Sequence, residues 1–523
     1  MSSEMENRGS TALAPADEST PLQRAIASQQ QVYERRTRRN STQPINARLP
    51  TVVLSEIFTR VVDEEGQKAV GRLAGVCHLW KEIVYHTPDI YDTLNISISK
   101  PEWVAVVLAR SKAVPLYITC PSPLIDRAIP GLLSPHFGRI IDLQLAADPS
   151  ILLELFATCD ALPMGLRSLR LKGTLGHTTV QSMSRVLPIQ MPSLQILELV
   201  GIALPHNLAP LPQLRRLYLS LSDHYDSGSI IRLLNSEPVE PELPMSTLLS
   251  FLDGTPSLEE LAVHGILSAS RIPIRDLELQ TVKLPSLSWV SFESQHVENV
   301  AFFKLIQYPS SARLRLKCTD DPLQMASAMD ELETIISHSS SSEAGAKVDS
   351  VFIDNDQSKL RLQAHIARTP LLDVQLAVVR GDPRPFGFLS MLPSSNVETL
   401  HVGMHDFLSS FRNADWANFF GRYEHVRELS VDHVVSPFIR GLMPSGGVSP
   451  QALPKLNTIK LRRCVLDTEQ VNMSWWSVAD PIEQFLRERI RFNMPLEMLE
   501  IIDPLVQMNA TTIARLQQII QIV

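Results

Sequence analysis

One short phrase recurs along the sequence and limits what the chain can fold into. A proline is followed two positions later by a leucine, and apolar residues stand three and five positions after that leucine. It reads Pro192-Ser193-Leu194-Gln195-Ile196-Leu197-Glu198-Leu199, and it returns as Pro212/Leu214/Leu217/Leu219 and Pro256/Leu258/Leu261/Val263. It returns again as Pro285/Leu287/Val290/Phe292 and Pro454/Leu456/Ile459/Leu461. Copies without the proline are Leu166/Leu169/Leu171, Val397/Leu400/Val402, Val426/Leu429/Val431 and Leu496/Leu499/Ile501, with an earlier one at Ile140/Leu143/Leu145. The last two apolar residues alternate as in a half-buried strand, so both point inward and the residue between them points out.

Successive phrases lie roughly 20 to 30 residues apart, the period of a leucine-rich repeat with its usual Asn or Cys position degenerate. Wider gaps, Leu217 to Leu261 and Ile459 to Leu499, mark insertions, the first at 221–247 with the turn Ser236–Pro244, and the Ser-rich stretch Ser337–Gly345 marks a flexible insertion at 336–349. Amphipathic helical stretches such as Ile230–Leu234 and Leu248–Leu252 fall between phrases. Ile513, Leu516, Ile519 and Ile520 suit a closing helix. Strand, loop and helix repeat, and each unit buries its face on its neighbour. The predicted fold class is α/β. It consists of a short N-terminal helical unit followed, over residues 96–523, by an irregular leucine-rich-repeat solenoid, a curved parallel sheet with outer helices. The alternative is an ordinary α/β domain with buried strands.

Composition narrows the function classes. The hydrophobic fraction of 44% is too high for a wholly disordered chain. Net charge is −8, so bulk nucleic-acid binding is disfavoured. The longest apolar run, Trp103–Ala109, is far short of the ~20 residues that span a membrane. The first thirty residues carry Glu4, Glu6, Asp17 and Glu18 and no apolar block, so no secretory signal is read there. Cys77, Cys120, Cys159, Cys318 and Cys464 form no CxxC pair, which fits reduced thiols in a cytoplasmic or nuclear protein.

Residues 1–43 read as a disordered tail with a marginal helix over Leu22–Arg39. The cluster Arg35, Arg36, Arg38 and Arg39 is either a nuclear import signal or a solvated helix end. Residues 44–95 change character. Val53, Leu54, Ile57, Phe58, Val61 and Val62 share one helical face, opened by Leu49-Pro50. A second helical series, Val70, Leu73, Val76, Cys77, Trp80, Ile83 and Val84, stops before Thr87-Pro88. Two or three short helices here cannot bury all this surface alone and must pack on the rest of the chain or on a partner.

Leu49-Pro50 through Phe58 resembles the opening of an F-box, and Leu73 through Val84 with Thr87-Pro88 resembles its closing half. The Trp103–Ser111 helix leading to Pro115–Ile118 is similar to the segment after the box in fungal F-box proteins with irregular leucine-rich repeats. The resemblance implies a three-helix domain that docks on the Skp adaptor subunit of a Skp–cullin–F-box ubiquitin ligase, and through it on a cullin. It implies that Leu49, Pro50, Val53, Leu54, Ile57, Phe58, Val76, Cys77, Trp80 and Ile83 supply the docking surface, some of them forming the unit's own core. Val52 stands where the family has an acidic residue, His78 and Leu79 replace a basic pair, and Tyr91 stands where Trp is frequent. These departures weaken polar rim contacts rather than the apolar centre.

No chemistry-bearing motif is present. G-x-S-x-G, the P-loop, G-x-G-x-x-G and H-E-x-x-H are all absent. His401 and His405 are spaced like a ligand pair but read as a strand end and loop, and Asp354-Asn355-Asp356 reads as a turn. The expectation is a protein without catalytic residues, metal or cofactor. It recruits a substrate protein on the outward strand positions Arg216, Tyr218, Glu260, His264, Trp289, Glu293, Glu428, Asp432, Lys460 and Arg462. Neither nucleic acid nor membrane is an expected partner. The competing reading is a repeat-based scaffold whose helical unit only caps the first repeat, and a third class is an unrecognised hydrolase.

Overall fold

The computed structural model describes residues 25–32, 34–35, 44–124, 126–157, 164–173, 191–202, 204, 208–220, 243–265, 267, 281–318, 335, 348–356, 359–377, 389, 392, 394–403, 413–433, 436–443, 452–463, 479–504 and 510–522. The chain divides into two compact units, Met1–Tyr117 and Ile118–Val523. The stretches Ile230–Leu234 and Ser337–Gly345 lie outside the described residues, as do His405, Cys159 and Cys464.

In the first unit, residues 25–32 are helical. They are followed by α1 (Pro44–Arg48), α2 (Thr51–Glu65), α3 (Lys68–Val76), α4 (His78–His86), β1 (Thr93–Asn95) and α5 (Pro101–Arg110). Pro50 precedes the first helical turn of α2, where its missing N–H is no loss. Gly66 ends that helix with φ +75°, a backbone conformation that suits glycine. The second apolar series does not run as one helix. Cys77 is extended (φ −160°, ψ 169°) and splits it into α3 and α4. Gly71 and Gly75 weaken α3 just ahead of the break. The unit's core holds Leu54, Phe58, Val62, Val70, Ile83, Val84, Ile90, Tyr91, Val104, Val107 and Leu108. Polar ties hold α5 in place. Trp103 Nε1 donates to Gln67 Oε1 at 3.1 Å, Arg110 donates to the Tyr91 hydroxyl at 3.1 Å, and its guanidinium lies 3.6 Å over the Tyr85 ring.

The second unit is mixed α/β around one large, mostly parallel sheet. Its strands are β2 (Leu116–Leu124, crossing the division), β3 (Ile140–Ala147), β4 (Ser168–Gly173), β5 (Ile196–Val200), β6 (Arg216–Ser220), β7 (Glu260–His264), β9 (Trp289–Ser294) and β11 (Arg313–Cys318). Then come β12 (Ser350–Asp356), β13 (Lys359–Ile366), β14 (Thr369–Ala377), β15 (Thr399–Gly403), β16 (Glu428–Asp432), β17 (Thr458–Arg462) and β18 (Met498–Ile502). Two short strands, β8 (Val282–Lys283) and β10 (Ile306–Gln307), pair with each other apart from this sheet. The helices are α6 (Ala128–Leu133), α7 (Pro149–Ala157), α8 (Met245–Asp253), α9 (His296–Leu305), α10 (Asn413–Phe420), α11 (Ser436–Gly441), α12 (Ala479–Arg491) and α13 (Ala510–Gln517). None of the described helices is long and apolar enough to cross a membrane.

The phrases fall into register. Leu143, Leu169, Leu197, Leu217, Leu261 and Val290 lie side by side on successive strands, and the row runs on to Leu314 and Leu372. Val351, Leu400, Leu429, Ile459 and Leu499 form a matching row toward the other end. The prolines have a local cause. In each proline-bearing copy the leucine amide donates to the carbonyl of the residue before the proline, as in Leu194→Met191 at 3.1 Å and Leu214→Leu211 at 3.0 Å. The same bond links Leu258→Thr255, Leu287→Leu284 and Leu456→Leu453. Proline therefore sits second in a tight turn, the position its fixed φ favours.

From β3 onward, the described strands are parallel except at one place. β12, β13 and β14 form an antiparallel meander inserted in reverse, so that β11 pairs with β14 and β12 with β15. Asp354, Asn355 and Asp356 belong to β12 and pair with Arg361, Leu360 and Lys359, so the turn reading of this triplet is corrected to a strand end. His401 lies in β15, which ends two residues later at Gly403.

Candidate interaction surfaces

The first surface belongs to the helical unit. Helix α2 carries two adjacent apolar stripes. Leu54, Phe58 and Val62 recur at four-residue steps and are buried, while Val53 and Ile57 fall on the neighbouring stripe and are 41% and 40% exposed. Val52 is 75% exposed, Val76 at the end of α3 is 54% exposed, and Ile45 on α1 is 47% exposed. The residues implicated from sequence thus divide. Leu54, Phe58 and Ile83 are core. Pro50, Val53, Ile57 and Val76 are exposed. Leu49, Cys77 and Trp80 are half-buried. Trp80 packs on Phe58 with ring centroids 4.7 Å apart and donates from Nε1 to Asn46 Oδ1 at 2.7 Å. The Asn46 amide also reaches Cys77 Sγ at 3.9 Å, so α1 is clipped onto the helix break. Sequence reasoning did not find this clip, because it joins residues some thirty positions apart through a single polar side chain.

The second surface is the outward face of the sheet. The buried rows described above alternate with a polar face carrying every substrate-face position named from sequence. Arg216 pairs with Glu260 across β6 and β7, Nη2 donating to Oε1 at 3.0 Å, and that hydrogen bond raises the guanidinium pKa further. Tyr218 meets His264 edge-on, with centroids 5.3 Å apart, and His264 Nε2 lies 2.8 Å from the Ser291 hydroxyl. Burial pushes the His264 imidazole pKa down. Glu293 is buried and paired with Lys317. Trp289 is half-buried. Lys460 bridges Glu428 at 2.9 Å and Glu500 at 3.9 Å, Asp432 is held by Arg463, and Arg462 is exposed.

Three features of this face were not picked out from sequence. The ring of Phe352 stacks on His401 at 4.1 Å and 4°, and against His365 at 4.5 Å. These residues come from three strands, one of them antiparallel, so no linear pattern signals them. Burial carries the His401 pKa down to about 4. Strand β11 also escaped notice, because no Pro-x-Leu leader precedes Leu314 and Leu316. It places Arg313, Arg315 and Lys317 on the outward face. The third is the pair of Arg170 and Glu198 across β4 and β5 at 3.4 Å.

Among the described residues no group of three or more His, Cys, Asp or Glu side chains could hold a metal ion. Chemically, the two surfaces offer an exposed aliphatic face and a ladder of cross-strand ion pairs interleaved with aromatic rings. No protein-family model matches this sequence, and no curated protein is significantly similar to it.

Proposed function

We propose that the protein is a substrate-recruiting subunit of a Skp–cullin–F-box ubiquitin ligase, with the helical unit docking on the Skp adaptor and the sheet face binding the substrate protein. In this reading the second unit is an irregular leucine-rich-repeat solenoid interrupted by the β12–β14 meander. The observation that carries it is the unburied stripe Val53, Ile57 and Val76, with Val52 and Ile45, beside a core of Leu54, Phe58, Val62, Val70, Ile83 and Val84. Exposed apolar patches of this kind mark interaction sites. A helix face of this width fits a helix-in-groove interface burying on the order of 800 Å² per partner. The resemblance of residues 49–58 and 73–88 to the two halves of an F-box points to which partner that is. The ligase reading asks no chemistry of this chain, because ubiquitin transfer takes place on other subunits.

The test is co-purification with a Skp adaptor. Val53→Asp/Ile57→Asp replaces exposed side chains and leaves the Leu54–Phe58–Val62 core intact. Loss of adaptor capture with an unchanged melting temperature supports the reading, and full capture by the double variant overturns it.

A further inference from the structure

We propose that Asn46 is the positioning residue of the adaptor-docking surface. Through Trp80 and Cys77 it fixes three helices, so that Ile45, Ile57 and Val76 meet the Skp adaptor as one preassembled patch. The proposal rests on the ligase reading of the helical unit and deepens it, because docking then depends on an amide ahead of the F-box-like segment that acts through other side chains.

The exposed apolar side chains of this unit come from separate elements. Ile45 stands on α1, Val53 and Ile57 stand on α2, and Val76 closes α3. Three of them adjoin in sequence a residue that the Asn46 clip engages. Ile45 precedes Asn46, Ile57 precedes Phe58, and Val76 precedes Cys77. The Asn46 Oδ1 accepts from Trp80 Nε1 at 2.7 Å, and its amide nitrogen reaches Cys77 Sγ at 3.9 Å. The Trp80 ring in turn packs on Phe58 with centroids 4.7 Å apart. One amide therefore bears on α1, on the break between α3 and α4 and, through Trp80, on α2.

Each of these places needs holding. Helix α1 has five residues, against the ~12–15 that an isolated helix needs in water. Cys77 is extended between two nine-residue helices, so tertiary contacts rather than continuous helix set the angle between α3 and α4. Trp80 is half-buried with its N–H engaged, which makes it a strut between α1 and α2 rather than a free anchor. A side-chain amide suits the task, because one planar group both accepts and donates. A face already held in its bound geometry loses less freedom on contact, so the clip acts on affinity without touching the partner.

The experiment is a titration of the full-length chain with purified Skp adaptor, read as Kd by biolayer interferometry. Asn46→Ala is expected to weaken binding about tenfold. Ile45→Ala is expected to do the same, by removing an aliphatic contact from the interface. The double variant discriminates. Added to Asn46→Ala, Ile45→Ala is expected to cost less than about twofold, because a loosened α1 no longer presents that side chain. Losses that simply multiply would mean that Asn46 does not act through α1, and the proposal is then overturned. Hydrogen exchange in Asn46→Ala is expected to rise over residues 44–50 and to stay at the wild-type level in α2. If Asn46→Ala does not fold, Trp80→Phe takes its place in the cycle, since it removes the same hydrogen bond from the other side and keeps a ring on Phe58. Wild-type binding that Asn46→Ala leaves unchanged overturns the proposal alone. No binding by the wild type overturns it together with the ligase reading.

Discussion

His401 shows how a single side chain on the sheet face couples fold to acidity. Its ring is stacked on Phe352 and half-buried, and burial is the main cause of its pKa falling to about 4. Glu428 pulls the other way, while Arg462, Lys460 and His365 add to the depression. The ordinary value is 6.5, so between pH 6.5 and 4 the unfolded chain binds a proton here that the folded chain does not. Stability therefore falls as pH drops through that window and is unaffected by this group above it. At 1.36 kcal/mol per pKa unit the ceiling is ~3 kcal/mol. His264 and His365 are depressed by burial as well and act in the same direction. Urea unfolding at pH 7, 6, 5 and 4 should show a shallower loss in His401→Phe than in wild type. Parallel curves would mean that the imidazole is solvated in the folded state. Arg489 is the second residue with a disproportionate role. It is almost wholly buried, and its guanidinium donates to the carbonyls of Met494 at 2.9 Å, Leu453 at 3.1 Å and Leu456 at 2.8 Å. Arg489→Met strands three buried acceptors and should cost about 3 kcal/mol by chemical denaturation. Arg489→Lys should recover little of it, since an ammonium cannot fork to all three.

Elements of the sheet end as regularly as they begin. After β5 and β7 the chain turns through Gly201 and Gly265, at φ +66° and +62°, and each glycine amide donates to a carbonyl of the next strand. His433 and Arg463 make the same turn after β16 and β17 in the same left-handed region, where a side chain is costly. Gly265→Ala should therefore lower stability by about 1–2 kcal/mol in a denaturant titration. An unchanged midpoint would show that the turn relaxes without strain. These devices explain which parts of the fold were legible beforehand. A proline-led turn and a period-two strand are local, so the repeated phrases announced their strands and the inward set Leu197, Leu217, Leu261 and their fellows. The meander of β12–β14 was not legible, because Asp354, Asn355 and Asp356 have the composition of a turn and are held in a strand only by pairing with β13. The phase of α2 was equally hidden. Both of its stripes are apolar, and only the placement of α3 and α4 decides that Leu54 faces in and Val53 faces out.

At the scale of the whole molecule, strand order in the large sheet rises with chain order except at the meander, with β8 and β10 paired apart from it. Each row of leucines is a series of contacts between adjacent strands, and under the proposed repeat reading stability is a sum of local terms. The C-terminal end is closed by α12 and α13, joined through Arg515 to Asp480 and Glu483, and by the pairing of Ile522 with Leu499. A cavity near that end should be felt there and hardly elsewhere. Leu461 is fully buried in β17, and Leu461→Ala should cost about 2–5 kcal/mol locally. Native-state hydrogen exchange read by mass spectrometry should then show faster exchange in β16, β17 and β18, with β3 to β6 protected as in wild type. Equal loss of protection at both ends would show that the sheet melts as one cooperative body, which nearest-neighbour coupling forbids. A graded loss that fades with each strand away from β17 is what the ladder of aligned leucines requires.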